Sequence, residues 1–371
     1  MRRTVLAAAF CALLLPFGAA AATVNWSGEK VIEEPVNLSR TVLKIRPGTK
    51  IVFRGKGTLI LSGGKLIAEK AEFSAEEKIT GAFRMSLTGV EVRLTQCRFS
   101  GMTAEKPKKY VEGAFFLTRC TGAITGCTFT GCSALALEHN NGMSIEKNLF
   151  FRCTTGIYLF HARENRIIGN EFVRASENGI ALNNASLNLI GDNRFTDCAQ
   201  GLKLSWSGTK ENRITGNSFF GGKTGIHLRE CGKANFFQSN LFEKLSGAAV
   251  HSFSKPIDKD NVFINNVVFG CRSAFTLPVL PEAATVTIRN NAVCQTAAGI
   301  VGGGKAVVAE NNLFWEVGRP AVPVKGVSAE LKNSLTADPK FKDSENGDYR
   351  PGDGSPLLKG GTDGNNIGLF Q

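Results

Sequence analysis

The chain has 371 residues, among them 41 Gly, 26 Phe and 10 Cys, with 43% hydrophobic and 20% charged side chains. That excludes a disordered or collagen-like chain and leaves ample material for a core. Its 44 Lys and Arg outnumber 32 Asp and Glu, which favours anionic partners, and with no basic block or nucleic-acid motif no nucleic-acid partner is expected.

Residues 1–22 read as a secretory leader. Arg2 and Arg3 precede an apolar stretch from Val5 to Phe17, and Gly18 to Ala22 offers the small residues that signal peptidase needs. The stretch is shorter than the ~20 residues that cross a bilayer, and no later segment could cross either, so no membrane span is expected. The mature chain is expected to be exported, whether periplasmic, secreted or held at the cell surface. Without Arg2 and Arg3 the net charge is +10.

Residues 23–70 are assigned to an N-terminal cap and first coils, with Trp26 a candidate plug. Residues 71–325 then repeat a phrase. Asn-x-Phe recurs as Asn148/Phe150, Asn170/Phe172, Asn193/Phe195, Asn217/Phe219 and Asn240/Phe242, then with Val or Phe after Asn266, Asn291 and Asn312; successive Asn are 22, 23, 24, 23, 26, 25 and 21 residues apart. Cys127/Phe129, Cys97/Phe99 and Ala71/Phe73 fill the same slots upstream. A second column, Asn165, Asn188, Asn212, Asn235 and Asn261, moves with the first. A third phrase follows each main Asn: Gly156-Ile-Tyr-Leu159, Gly179-Ile-Ala-Leu182, Gly201-Leu-Lys-Leu204 and Gly225-Ile-His-Leu228.

Alternating apolar residues mark strands with one buried face. Three short strands per repeat, with no helical period, predict an all-β parallel β-helix of about eleven coils. The Asn are expected at left-handed bends, their amides laddered from coil to coil over a stack of Phe rings. A leucine-rich repeat overlaps in period but needs a Leu-dominated strand and a helical return. Residues 326–371, rich in Gly, Pro and Asp, are assigned to a C-terminal cap or tail.

Phrases such as Asn165-Arg-Ile-Ile-Gly-Asn170-Glu-Phe172 and Gly156-Ile-Tyr-Leu159 resemble the pectate-lyase-like superfamily of right-handed parallel β-helices. Val42 to Thr49 and Asp338-Pro-Lys-Phe341 resemble the opening coils and closing tail of such exported proteins. The resemblance implies a groove along the Gly-Ile-x-Leu sheet, in which Arg or Lys neutralises a uronate carboxylate and a basic residue takes the adjacent proton. Some periplasmic relatives of this architecture help deliver copper during nitrous oxide reductase assembly.

All four His stand on or just beyond that strand: His139, His161, His227 and His251. Lys203, His227, Arg229 and His251 are the candidate catalytic residues, as cations for a carboxylate and His as a proton acceptor. Tyr158 and Trp206 are candidate sugar platforms, with His161, Asn183, Asn184 and Glu230 beside them. The competing reading is a solvated polar face, since neighbouring coils bring polar side chains together by geometry alone.

The motifs of the polygalacturonases and calcium-dependent pectate lyases are missing, and the first Asp is Asp192. A metal-free lyase, an epimerase or a hydrolase acting on polysaccharide, anionic above all, is expected, and a non-catalytic binding or structural module is the alternative. The four His could ligate a soft ion, but they spread over about six coils, so no metal or cofactor is expected. The nine mature Cys show no zinc or haem spacing and are expected as buried free thiols. A monomer is expected.

Overall fold

The computed structural model describes residues 4–5, 21–105, 113–252 and 259–369. The predicted leader lies outside the described residues except at its edges. Thr4–Val5 pairs in parallel with Lys30–Val31, and the strand Ala22–Trp26 pairs with Thr41–Ile45. The Lys-rich segment 106–112 and segment 253–258 also lie outside. Among the described residues there is no α-helix, and no helix is long and apolar enough to cross a membrane.

The chain is a right-handed parallel β-helix whose coils fall into two compact units, Met1–Ala181 and Leu182–Gln371. In the first unit the Asn-x-Phe strand position is filled by Glu29–Ile32, Lys50–Phe53, Glu72–Ala75, Arg98–Ser100, Thr128–Thr130, Leu149–Phe151 and Glu171–Val173. In the second it is filled by Arg194–Thr196, Ser218–Phe220, Leu241–Glu243, Val267–Phe269, Ala292–Cys294 and Leu313–Trp315. That makes thirteen coils where about eleven were expected. The two extra coils lie within residues 23–70, where Gly28 and Thr49 stand in place of the laddered Asn.

The Phe rings stack as the repeat implies. Centroids lie 4.7 Å apart for Phe73/Phe99, 4.6 Å for Phe99/Phe129 and 4.7 Å for Phe129/Phe150 in the first unit, and 4.7 and 4.8 Å along Phe195, Phe219 and Phe242 in the second. Strand spacing sets that distance. The recurring Gly of Gly-Ile-x-Leu serves the same stack, because a Cβ at Gly225 would sit 2.5 Å from Phe242 Cδ1 and 2.6 Å from the Ala249 carbonyl. Gly225→Ala is expected to cost about 1–3 kcal/mol by overpacking, read as a lower urea midpoint.

The Asn ladders form, but not at the backbone position expected. In the second unit each Nδ2 of Asn193, Asn217, Asn240, Asn266 and Asn291 donates to the Oδ1 of the next Asn at 2.9–3.0 Å, and the same Oδ1 accepts the preceding backbone N–H. Asn188, Asn212, Asn235 and Asn261 repeat this at 3.0 Å. The left-handed residue is the one before each main-column Asn: Asp192, Gly216, Ser239, Asn265, Asn290 and Asn311 have φ between 53° and 67°. That residue makes the bend, and the Asn behind it turns inward to satisfy the corner amides.

The tail folds back on the second unit. Tyr349, Leu357 and Ile367 pack on Val267, Phe269, Ala292, Cys294 and Leu313, where the outward face of the Asn-x-Phe strands is apolar. Asn290 fastens it, its Oδ1 accepting from the Thr362 N–H at 3.0 Å and its carbonyl from Gly368 at 2.9 Å.

Candidate functional site

In the second unit the Gly-Ile-x-Leu strands include Gln200–Ser205, Thr224–Arg229, Ala248–Ser252 and Ser273–Val279. Parallel pairing sets Leu202 beside Ile226 and Ile226 beside Val250, all buried, so the residue between two inward side chains must face out. The same register aligns Lys203 with His227, His227 with His251 and His251 with Thr276. Arg229 stands opposite Ser205, exposed.

Three of the four predicted catalytic residues are therefore one column on consecutive coils, with Arg229 two residues along. Lys203, His227 and His251 are half-buried. The imidazoles meet with Nδ1 atoms 3.4 Å apart and rings tilted by 46°. One ring donates Nδ1–H to the lone pair of the other, a pairing that needs one Nδ1 unprotonated.

Burial, followed by the charges of His251, Lys203 and Arg229, pushes His227 down to about 4; burial and Lys223 lower His251 as well. His227 is thus neutral in the folded chain down to about pH 4, while in the unfolded chain it takes up its proton near the ordinary 6.5. Its contribution to stability is whole above 6.5 and is lost as the pH falls toward 4. Urea midpoints are expected to drop across that window, and His227→Gln, which cannot titrate, is expected to reduce the drop.

Beyond the column the chain turns at left-handed residues, Asn184, Trp206 and Glu230, with φ of 51°, 73° and 55°. Trp206 is 52% exposed, its backbone N–H held by the Arg229 carbonyl at 3.0 Å. Asn184 is half-buried and its Oδ1 accepts the Gly208 N–H at 3.2 Å, so it braces the next corner; Asn183, just before it, and Glu230, at the turn after Arg229, are half-buried too.

Tyr158 and His161 belong to the first unit. Tyr158 is only 8% exposed and packs with Phe116, Ala134, Ala136 and Ala181, partly covered by Phe83 and Phe160. It is a core residue and not a sugar platform, because here the outward positions of the strand stack are apolar and bury one another. His161 is exposed and its ring stacks on His139 with centroids 5.1 Å apart.

No group of three or more His, Cys, Asp or Glu among the described residues could hold a metal ion. All nine Cys of residues 23–371 are buried free thiols.

A family model described as periplasmic copper-binding protein (NosD) matches residues 76–244, and one described as right handed beta helix region matches residues 204–314. No curated protein sequence matches the chain. Among solved structures, the periplasmic alginate epimerase AlgG is similar at 14% identity and a TM-score of 0.57, over 84% of this chain and 77% of that one. Alginate lyase AlyF-OU02 is similar at 11% identity and a TM-score of 0.50, over 90% of this chain and 86% of that one.

The His pairs do not fit a copper ion well. The rings of His139 and His161 stack with centroids 5.1 Å apart, and no third His, Cys, Asp or Glu among the described residues joins them in a metal site. His227 and His251 are close enough, but Lys203, Arg229 and Lys223 bring positive charge to them and the described residues add no third ligand.

Proposed function

As a right-handed parallel β-helix with cations, paired imidazoles and an exposed indole on one strip, this chain, we propose, binds an acidic polysaccharide along the Gly-Ile-x-Leu groove of its second unit and processes it by taking a proton beside a carboxylate. The register of Lys203, His227 and His251 carries the reading. Lys203 and Arg229 meet the carboxylate and stabilise the negative charge that develops when the neighbouring C–H is lost, His227 accepts that proton, and Trp206 stacks on a sugar ring.

Of the three reaction types expected, a lyase or an epimerase is supported over a hydrolase. Glycoside hydrolysis ordinarily takes two carboxylates, and on this strip of the second unit the described residues supply Glu230 alone. Both similar structures are of alginate-processing enzymes, an epimerase and a lyase, which agrees with a polyuronate. Export is proposed with it, supported by the leader-like residues 1–22 and the word periplasmic in the NosD description.

Retardation of the protein in native gels cast with acidic or neutral polysaccharides tests the binding half. Slower migration with a polyuronate, relieved by salt, is the expected result. Equal mobility in every gel would end the reading.

A further inference from the structure

A second row of cations runs beside the groove. The corner that follows Trp206 ends at Lys210, and the corresponding corners of the next two coils end at Lys233 and Lys259. Backbone bonds fix the register: the Leu187 N–H donates to the Lys210 carbonyl at 3.2 Å, Glu211 to Lys233 at 3.1 Å and Ala234 to Lys259 at 3.2 Å. The first two corners are tightly seated, since a Cβ at Gly232 would lie 2.0 Å from the Ser207 carbonyl and 3.2 Å from Lys210 Cβ. The three lysines therefore recur at the coil spacing of about 4.8 Å, held there by a backbone that cannot spread.

Like charges in register repel. Lys210 has Glu211 at 3.9 Å and Lys259 is followed by exposed Asp260. Lys233, exposed and flanked by Gly232 and Ala234, has no carboxylate within ion-pair distance among the described residues. A row of this kind is best matched by a partner whose anions repeat at the same interval. A 1,4-linked hexuronate chain laid along the coil axis has that property, because one sugar residue advances it by about one coil.

We propose that Lys210, Lys233 and Lys259 form a charge rail that reads the carboxylates of successive residues of a uronate chain, setting its direction along the second unit. The proposal rests on the groove reading and names its substrate more closely: Lys203 and Arg229 hold the reacting residue, and the rail holds its neighbours.

The test titrates a 1,4-linked uronate hexamer and a neutral hexamer into the full chain by calorimetry, for the parent, a triple Lys→Gln variant at the three positions, and a triple Lys→Arg variant. An exposed ion pair is worth a factor of about 2–5, so the Gln variant is expected to lose on the order of 10–100-fold in affinity for the uronate and most of its salt dependence. The Arg variant should keep both, and the melting temperature of each variant should stay near that of the parent, since Lys233 and Lys259 are exposed and the half-buried Lys210 keeps its side chain 43% exposed. A Gln variant that binds the uronate as tightly as the parent overturns the rail and leaves the groove standing. An Arg variant as weak as the Gln variant also overturns it, because charge would not be what is read. A parent that binds no uronate overturns the groove reading itself, and the rail with it.

Discussion

His227→Ala is expected to lower kcat/KM on a polyuronate by about 10²–10⁴-fold, the range that a positioned general base supplies, with the melting temperature near that of the parent at neutral pH. The fold should survive because His227 faces out between Ile226 and Leu228, both of which stay fully buried. Activity should fall because no other side chain on the column can replace it: Lys203 is a cation, and His251 meets His227 through Nδ1 at 3.4 Å. A base at about 4 is unprotonated at neutral pH but weak. A substrate carboxylate arriving between Lys203 and Arg229 offsets two of the charges that, after burial and beside His251, depress it, and raises its affinity for a proton in the complex. The rate is therefore expected to fall on acidification through a pKa above 4, and kcat should titrate higher than kcat/KM, since kcat reports the complex and kcat/KM the free enzyme. An unchanged kcat/KM in His227→Ala would remove it from the chemistry.

Asn217→Ala carries the largest expected stability effect. Asn217 is fully buried and its side chain accepts the Asn193 N–H and Nδ2–H, both at 3.0 Å, while donating to the Ile190 carbonyl at 2.9 Å and to Asn240 Oδ1 at 3.0 Å. Alanine removes the acceptor of two buried donors, the Asn193 backbone N–H and its Nδ2–H, while the Ile190 carbonyl keeps its bond in the strand ladder. Each costs about 1–3 kcal/mol, so a loss of about 2–6 kcal/mol is expected. Urea unfolding followed by circular dichroism reads it. Coils stabilise only their neighbours, so hydrogen exchange should rise first in the two coils that flank Asn217. A midpoint within error of the parent would mean that the ladder adds nothing the backbone does not already provide.

Repeating identical residues is what made the fold legible. Asn217, Phe219 and Gly225 recur at one phase because stacked copies of each contact one another, so side-chain type and register are the same information. Where stacking does not need identity, the pattern is silent. The coils around Glu29–Ile32 and Lys50–Phe53 have Gly28 and Thr49 where later coils have the laddered Asn, which is why two coils went uncounted. The bend falls on Asp192 or Gly216 and not on the Asn after it, because bend residues vary while the inward amide cannot. Tyr158 has the same strand position as Lys203, yet it is buried in a cluster that Phe83 and Phe160 pack against, a tertiary fact that no local alternation encodes. The lysine rail was legible in principle: Lys210, Lys233 and Lys259 each stand two residues before an Asn of the second column.

The most direct measurement of the central claim is proton NMR of polyuronates incubated with the mature protein in deuterium oxide. A lyase and an epimerase share one step, removal of the proton beside the carboxylate. The expected result is loss of that C5–H signal, with a vinyl proton if the chain is cleaved or deuterium at an inverted centre if it is not, and no change with His227→Ala. An undiminished C5–H signal in every polyuronate that the protein binds would contradict proton abstraction and leave the second unit a binding groove alone.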